Sequence, residues 1–200
     1  MPDENEIDAP EKLWLDQYRS GDVDALGKLV EHYRRPLFGF ILRMIENNGD
    51  AEEIFQEVWF KAIRSFDSYK DQKFLSWMFR ITHNHIIDRA RKKKPVASIH
   101  SQAEGEMGIE DRTAAAGLDP VRIAEGHELG QRIRAAVDRL PAAQREVFLL
   151  RTEGQLPFKE IAVVMECSIN TALGRMQYAL NHLREDLKED YEDFNDRKLL

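Results

Sequence analysis

Residues 158–177, FKEIAVVMECSINTALGRMQ, read as two short helices with a break at Glu166-Cys167-Ser168. Ile161, Ala162 and Met165 give the first segment an apolar side, and the small Ala162 lets another helix cross closely. Ser168 is a capping residue. Behind it Ile169, Ala172, Met176, Ala179, Leu180 and Leu183 recur at helical spacing, the expected buried stripe of a helix running to about Leu187. That leaves Asn170, Thr171, Gly174, Arg175, Gln177 and Tyr178 largely outward, a polar set able to reach base edges and phosphates. A helix-turn-helix that reads DNA has this layout. So does an ordinary helical corner, since helix pairs joined by three or four residues are common.

Composition narrows the choice. The chain has 200 residues, room for one large domain or two small ones, and 42% are apolar, enough for real cores. No apolar run approaches the roughly 18 residues of a membrane span, and the start, MPDENEIDAPE, lacks the layout of a secretion signal. A single cysteine, Cys167, leaves no internal disulfide framework and no cysteine-rich zinc site. A soluble, cytoplasmic protein is expected. The net charge of −7 looks wrong for a nucleic-acid binder until it is divided along the chain. Residues 1–11 carry five acids and no base, and residues 185–200 seven acids against three bases, which leaves residues 12–184 at +2. Within these, residues 44–60 hold five acids and no base, whereas residues 61–94 hold ten bases against three acids. Segregation on this scale suggests two different partners, although solvated helix faces carry such charge too.

Helical periodicity dominates and strand alternation is nearly absent. After the Ser20-Gly21 turn, Asp22 can cap a helix burying Leu26, Leu29, Val30 and Tyr33. Pro36 should kink or break it, with Leu37, Phe38, Ile41 and Met44 continuing the stripe. Asn47-Asn48-Gly49 forces a turn, and Asp50 with Glu53 resembles a capping box. Ile54, Phe55, Val58, Trp59, Ala62, Ile63 and Phe66 then mark one face of a regular helix. A polar loop, residues 67–73, leads to a helix from about Phe74 to Arg91 with Trp77, Met78, Ile81 and Ile86 inward. The predicted fold is all-α: a helical domain over residues 12–95, a flexible linker over 96–126, a second helical domain over 127–187 containing the helix-turn-helix, and an acidic tail over 188–200.

The basic segment interleaves Phe66, Tyr69, Phe74, Trp77 and Phe79 with Lys61, Lys70, Lys73, Arg80 and the run from Arg89 to Lys94. Stacking rings and phosphate-neutralising bases are what single-stranded DNA requires. Periodicity assigns most of these rings to the core, and Tyr69, in the loop, is the one expected to be exposed. His83-Asn84-His85 spells a nuclease-like triplet, but residues two apart on a helix point about 200° apart and cannot share a metal. Both histidines read as surface or partly buried groups, and Cys167 as a small packed residue. No acid cluster, glycine-rich phosphate loop or nucleophile–base pair supports an enzyme, so no catalytic residue, metal ligand or cofactor is expected.

In order along the chain, these pieces resemble the sigma-70 initiation factors, in their compact extracytoplasmic-function group. DAEEIFQEVWFKAI, from Asp50, is similar to that family's second conserved region. SFDSYKDQKFLSWMFRITHNHIIDRARKKK, from Ser65, resembles its promoter-melting segment, with Trp77, Asn84, Asp88 and Arg91 at matching positions. LPAAQREVFLLRTEGQLPFKEIAVVMECSINTALGRMQYALNHLRE, from Leu140, resembles its fourth region. The resemblance implies that the acidic helix, through Glu53, Gln56 and Glu57, docks on the clamp helices of the largest catalytic subunit of core RNA polymerase. It implies that Tyr69, Lys70 and Lys73 in the loop, with Arg80, Asn84 and Arg91 on the following helix, melt the downstream promoter element. It also implies that Asn170, Thr171, Leu173, Gly174, Arg175, Gln177 and Tyr178 face the upstream element. An anti-sigma protein is a further candidate partner.

Departures from the family pattern fall on the reading helix and its corner. Glu166 stands where the family often has glycine, Ala172 where it commonly has valine, and Leu173 where it commonly has lysine or arginine. The lost base at 173 removes a phosphate contact, while Leu173 can pack on a thymine methyl. Two other readings compete with a promoter-specificity subunit: a decoy that binds an anti-sigma protein without touching DNA, and a nuclease. The basic loop and helix argue against the decoy, which has no use for phosphate contacts.

Overall fold

The structure, a computed structural model, describes residues 10–45, 47–69, 73–93 and 120–188. Lys70, most of the expected linker and all but the first residue of the expected acidic tail lie outside the described residues. Among those described there is no strand. The helices are α1 (Pro10–Arg19), α2 (Val23–Met44), α3 (Ala51–Ser65), α4 (Phe74–Lys93), α5 (Pro120–Arg139), α6 (Ala142–Thr152), α7 (Phe158–Val164) and α8 (Ile169–Asp186). The all-α architecture in two helical regions is as expected.

In the first region α2 packs against α1, α3 and α4. Asp22 caps α2 through a side-chain bond from the Asp24 amide at 3.0 Å, as its position predicts. Pro36, however, neither breaks nor ends this helix, which runs from Val23 to Met44. Proline inside a helix costs about 3 kcal/mol. Burial of Leu29, Tyr33, Leu37, Phe40 and Ile41 on one face outweighs it, at about 1.5–3 kcal/mol for each large side chain. Helix α1 falls almost wholly inside the expected helical domain but was not assigned as a helix: Leu15 is buried in it and Trp14 and Tyr18 pack on the core, a short stripe before the Ser20-Gly21 turn. The capping box at Asp50 is likewise replaced. A 3-10 turn at Asn48–Asp50, capped by Asn47 on the Gly49 amide, leads into α3, and the Asp50 side chain caps nothing.

In the second region α6 and α7 pack on α8, with α5 across α8 as well. Helix α5 already begins at Pro120, so residues 120–126 are helical where linker was expected; proline at the first helical position lacks only a donor that no helix start can use. The corner between α7 and α8 is a Schellman motif: the Cys167 amide donates to Ala162 O (2.9 Å) and the Glu166 amide to Val163 O (3.4 Å). Glu166 carries it at φ 49°, the left-handed conformation that favours glycine. The Ser168 hydroxyl then accepts from the Thr171 amide at 3.0 Å to start α8. The two regions also touch: α4 packs on α7 and α2 on α6, and buried residues of both join in one cluster.

Candidate nucleic-acid interface

The acid side of α3 lies off its apolar stripe, as expected. Ile54, Phe55, Val58, Trp59 and Ala62 are buried, whereas Glu53 and Gln56 are exposed and Glu57 is half-buried. The acids are nonetheless not left to solvent. Arg89 of α4 reaches over them, with Nη2 3.3 Å from Asp50 Oδ2 and 2.7 Å from Glu53 Oε2, and Nη1 3.7 Å from Glu57 Oε2. One turn on from Gln56 stands Phe60, 62% exposed on the rim of an open cavity of about 510 Å³ shared with Arg64, Asp88 and Lys92. Periodicity overlooks Phe60 because an aromatic beside Trp59 reads as part of the same apolar run. Its phase, two residues beyond Val58 and off the buried stripe, was the available signal.

On α4 the buried line is Phe74, Met78, Phe79, Thr82 and His85, and the expected inward Trp77, Ile81 and Ile86 are only half-buried. The buried stripe thus turns polar toward the C-terminus, where the Thr82 hydroxyl bonds back to Met78 O at 2.8 Å. The two histidines face different neighbours. His83 Nδ1 meets Glu146 Oε1 of α6 at 2.5 Å. His85 Nε2 lies 2.7 Å from Glu57 Oε2 without hydrogen-bond alignment. Burial first, then Lys61, hold the His85 imidazole below its ordinary value, against the opposing pull of Glu57.

Arg80 and Asn84 are exposed, and Arg80 makes no ion pair among the described residues. Arg91 is exposed and only loosely paired with Asp88, at 3.9 Å. Tyr69 corrects the expectation of an exposed ring: half-buried, it lies against Phe74 (5.6 Å between centroids) and Trp77 (5.1 Å). An aromatic at the end of a loop finds the nearby ring cluster before it finds solvent. Lys73 is also engaged, its Nζ 3.1 Å from Glu160 Oε1 of α7.

On α8 the outward set is largely outward. Asn170, Thr171, Leu173, Gln177 and Tyr178 are exposed, while Gly174 and Arg175 are half-buried. Thr171 is partly committed to the cap, its hydroxyl 2.8 Å from that of Ser168. Arg175 makes no ion pair among the described residues. The buried stripe is narrower than the spacing suggests: Ala172, Ala179 and Leu183 are buried, but Ile169 and Leu180 are 46% and 38% exposed. No described helix is long and apolar enough to cross a membrane.

Comparison with known proteins adds two family matches, Sigma-70 region 2 over residues 29–96 and Sigma-70, region 4 over residues 130–183. The ECF RNA polymerase sigma factor SigW of Bacillus subtilis is 30% identical over 181 residues, 89% of this chain and 97% of that protein. Among solved structures, CnrH in complex with the cytosolic domain of CnrY aligns with a TM-score of 0.61 at 22% identity, covering 90% of this chain and 98% of that one. The sigma factor RpoE in complex with the anti-sigma factor NepR, from Bartonella quintana, gives the same TM-score at 21% identity, over 83% of this chain and 98% of that one. At these identities the two structures speak for the fold.

Proposed function

Because the chain belongs to the extracytoplasmic-function group of the sigma-70 family, we propose that it binds core RNA polymerase and directs promoter-specific transcription initiation. The observation that carries this reading is the succession, on one chain, of a region 2 match over acid-sided α3 and basic α4 and a region 4 match over the corner-capped α8. Glu53, Gln56 and Glu57, with Phe60 beside them, form the polymerase contact. An exposed aromatic ringed by polar groups is the composition of an interface anchor. Tyr69, Lys70, Lys73, Arg80, Asn84 and Arg91 act on the melted downstream element, the bases on phosphate and the half-buried Tyr69 as a ring that a flipped base can stack upon. Asn170, Thr171, Leu173, Gly174, Arg175, Gln177 and Tyr178 present α8 to the major groove of the upstream element. The chain contributes recognition and strand opening, the phosphoryl chemistry stays with the polymerase, and the chain works beside it in the cytoplasm. An anti-sigma protein is a third partner, in keeping with the complex that RpoE of Bartonella quintana forms with NepR.

The test is run-off transcription with purified core polymerase over a genomic promoter pool. The reading requires transcripts from a defined promoter class sharing two spaced elements; no transcription above core polymerase alone would refute it. The melting role is tested separately. Alanine at Tyr69, Lys70 and Lys73 should leave polymerase binding intact, reduce opening of duplex promoters, and be rescued on a pre-melted bubble template. Equal failure on duplex and bubble would move the defect to docking or folding.

A further inference from the structure

The cavity of about 510 Å³ beside Phe60 is a groove between one flank of α3 and the facing flank of α4. Helical spacing builds both walls. Glu57, Lys61 and Arg64 line the α3 side, and Asp88 and Lys92 stand one turn apart on α4. The acids already have cationic neighbours: Glu57 lies 3.7 Å from Arg89, and Asp88 3.9 Å from Arg91. Lys61, Arg64 and Lys92 are exposed and make no ion pair among the described residues. The groove thus offers three uncommitted positive charges.

Its floor is polar and unsatisfied. His85 is only 8% exposed, and neither of its ring nitrogens has an aligned hydrogen-bond partner among the described residues. The Nε of Arg89, beside it, is also buried without one. Buried polar atoms in folded chains nearly all find partners, so several left together in one groove point to a ligand that supplies them. With its proton held loosely, through burial first and Lys61 second, the imidazole is neutral near pH 7 and offers one donor and one acceptor. On the rim, Phe60 is 62% exposed. A solvated ring beside free cations fits a ligand with both an aromatic face and anionic oxygens. The volume lies within the roughly 300–1,000 Å³ of small-molecule sites.

We propose that this groove binds a nucleoside polyphosphate, with Lys61, Arg64 and Lys92 on the phosphates, Phe60 stacked on the base, and His85 bonding a polar edge of the ligand at the floor. Single-stranded nucleic acid carries the same groups, but it needs a continuous basic track. Here the carboxylates of Glu57 and Asp88 interrupt the cations, which a compact ligand can avoid. Glu57 and Phe60 also belong to the contact proposed for core polymerase, so the two occupants exclude one another on this face. The nucleotide site is measured on the free chain, where its failure leaves the polymerase reading untouched.

The full chain is titrated calorimetrically with adenosine or guanosine triphosphate, inorganic triphosphate, adenosine, and a single-stranded oligothymidylate. A nucleotide should bind, inorganic triphosphate about fivefold or more weakly, and adenosine not at all below about 1 mM. Lys61→Ala, Arg64→Ala and Lys92→Ala should each weaken nucleotide binding by about three- to tenfold. Phe60→Ala should bring the nucleotide down to the affinity of inorganic triphosphate. Lys28→Ala, which removes an exposed cation of α2 away from the groove, should change nothing. All five replaced side chains are exposed, and circular dichroism should show unchanged helix content. No nucleotide binding up to about 1 mM overturns the proposal. So does an equal loss in Lys28→Ala, which reduces the binding to net charge. An oligothymidylate bound through the same residues, with no mononucleotide bound, assigns the groove to nucleic acid and overturns it as well.

Discussion

At Glu166 the backbone is held at φ 49° by the two amide bonds that close the corner before α8. A side chain in this conformation costs about 1–2 kcal/mol, and glycine returns part of that through the greater freedom of its unfolded chain. Glu166→Gly should therefore stabilise the protein by about 0.5–1 kcal/mol in urea unfolding, with the slope unchanged. Destabilisation would mean that the Glu166 side chain itself supports the corner. The resemblance marks this as a place where the family often has glycine; that the chain keeps the left-handed geometry without it was not legible in the sequence. His85 makes a second prediction. Buried and facing Lys61 and Arg89 as well as Glu57, it holds its proton less tightly than an unfolded imidazole does. Acid then favours the unfolded chain. The contribution of this group is complete above about pH 6.5 and is lost as pH falls from there toward the depressed native value. His85→Gln should flatten the fall in melting temperature between about pH 7.5 and pH 5.5 relative to the parent; an equally steep fall in both would place the acid sensitivity elsewhere.

At the scale of elements, strong apolar period was the reliable guide. The stripe of α3 from Ile54 to Ala62 is buried as its spacing demands, with Ile63 at its end half-buried, and off it Glu53, Gln56 and Phe60 are exposed while Glu57 is half-buried. Periodicity failed where burial is polar, as at Thr82 and His85, and where a small bundle has no further layer to cover a position, as at Ile169 and Leu180 on α8. At Pro36 the helix runs on unbroken, because the larger burial along a long helix outweighs the local cost. For α3 the prediction is a loss of binding without a loss of fold. Truncating interfacial charge-assisted contacts costs about 2–5 kcal/mol, and an exposed aromatic anchor about 2 kcal/mol or more. The triple variant Glu53→Ala, Gln56→Ala, Glu57→Ala and the single variant Phe60→Ala should both lose core-polymerase affinity in fluorescence titrations while keeping their helix content. Unchanged affinity in the triple variant would remove α3 from the interface. For α8 the two unusual positions separate phosphate from base contact. Arg175→Ala should weaken binding to all upstream sequences and lower the salt slope by about one, the signature of a lost phosphate contact. Leu173→Lys should bind more tightly with weaker preference at one thymine, and a randomised upstream library at two salt concentrations reads both outcomes.

At the scale of the whole molecule, the sequence announced two helical regions and was silent on their contact. The charges that join them, Arg43, Lys73, Glu146 and Glu160, each sit in segments whose local pattern explains them as solvated, and only the three-dimensional path brings them within bonding distance. Phe79 shows the same limit in apolar form, since its ring fills space against Gly154, seventy-five positions along the chain by numbering. Packed regions share their stability: unfolding one strips the other of its buried contacts, so their transitions merge while the coupling exceeds the difference between them. The full chain should melt in a single calorimetric transition. In the double variant Arg43→Ala, Glu160→Ala, the contacts at both ends of the shared surface are gone, and each partner carboxylate or ammonium is exposed enough to be rehydrated. The transition should then split, one component staying near the parent's melting temperature and the other falling several degrees, as a loss of about 1–2 kcal/mol from a small domain implies. A single transition shifted as a whole would show that the apolar contact at Phe79 and the His83–Glu146 pair are sufficient to keep the two regions one cooperative unit.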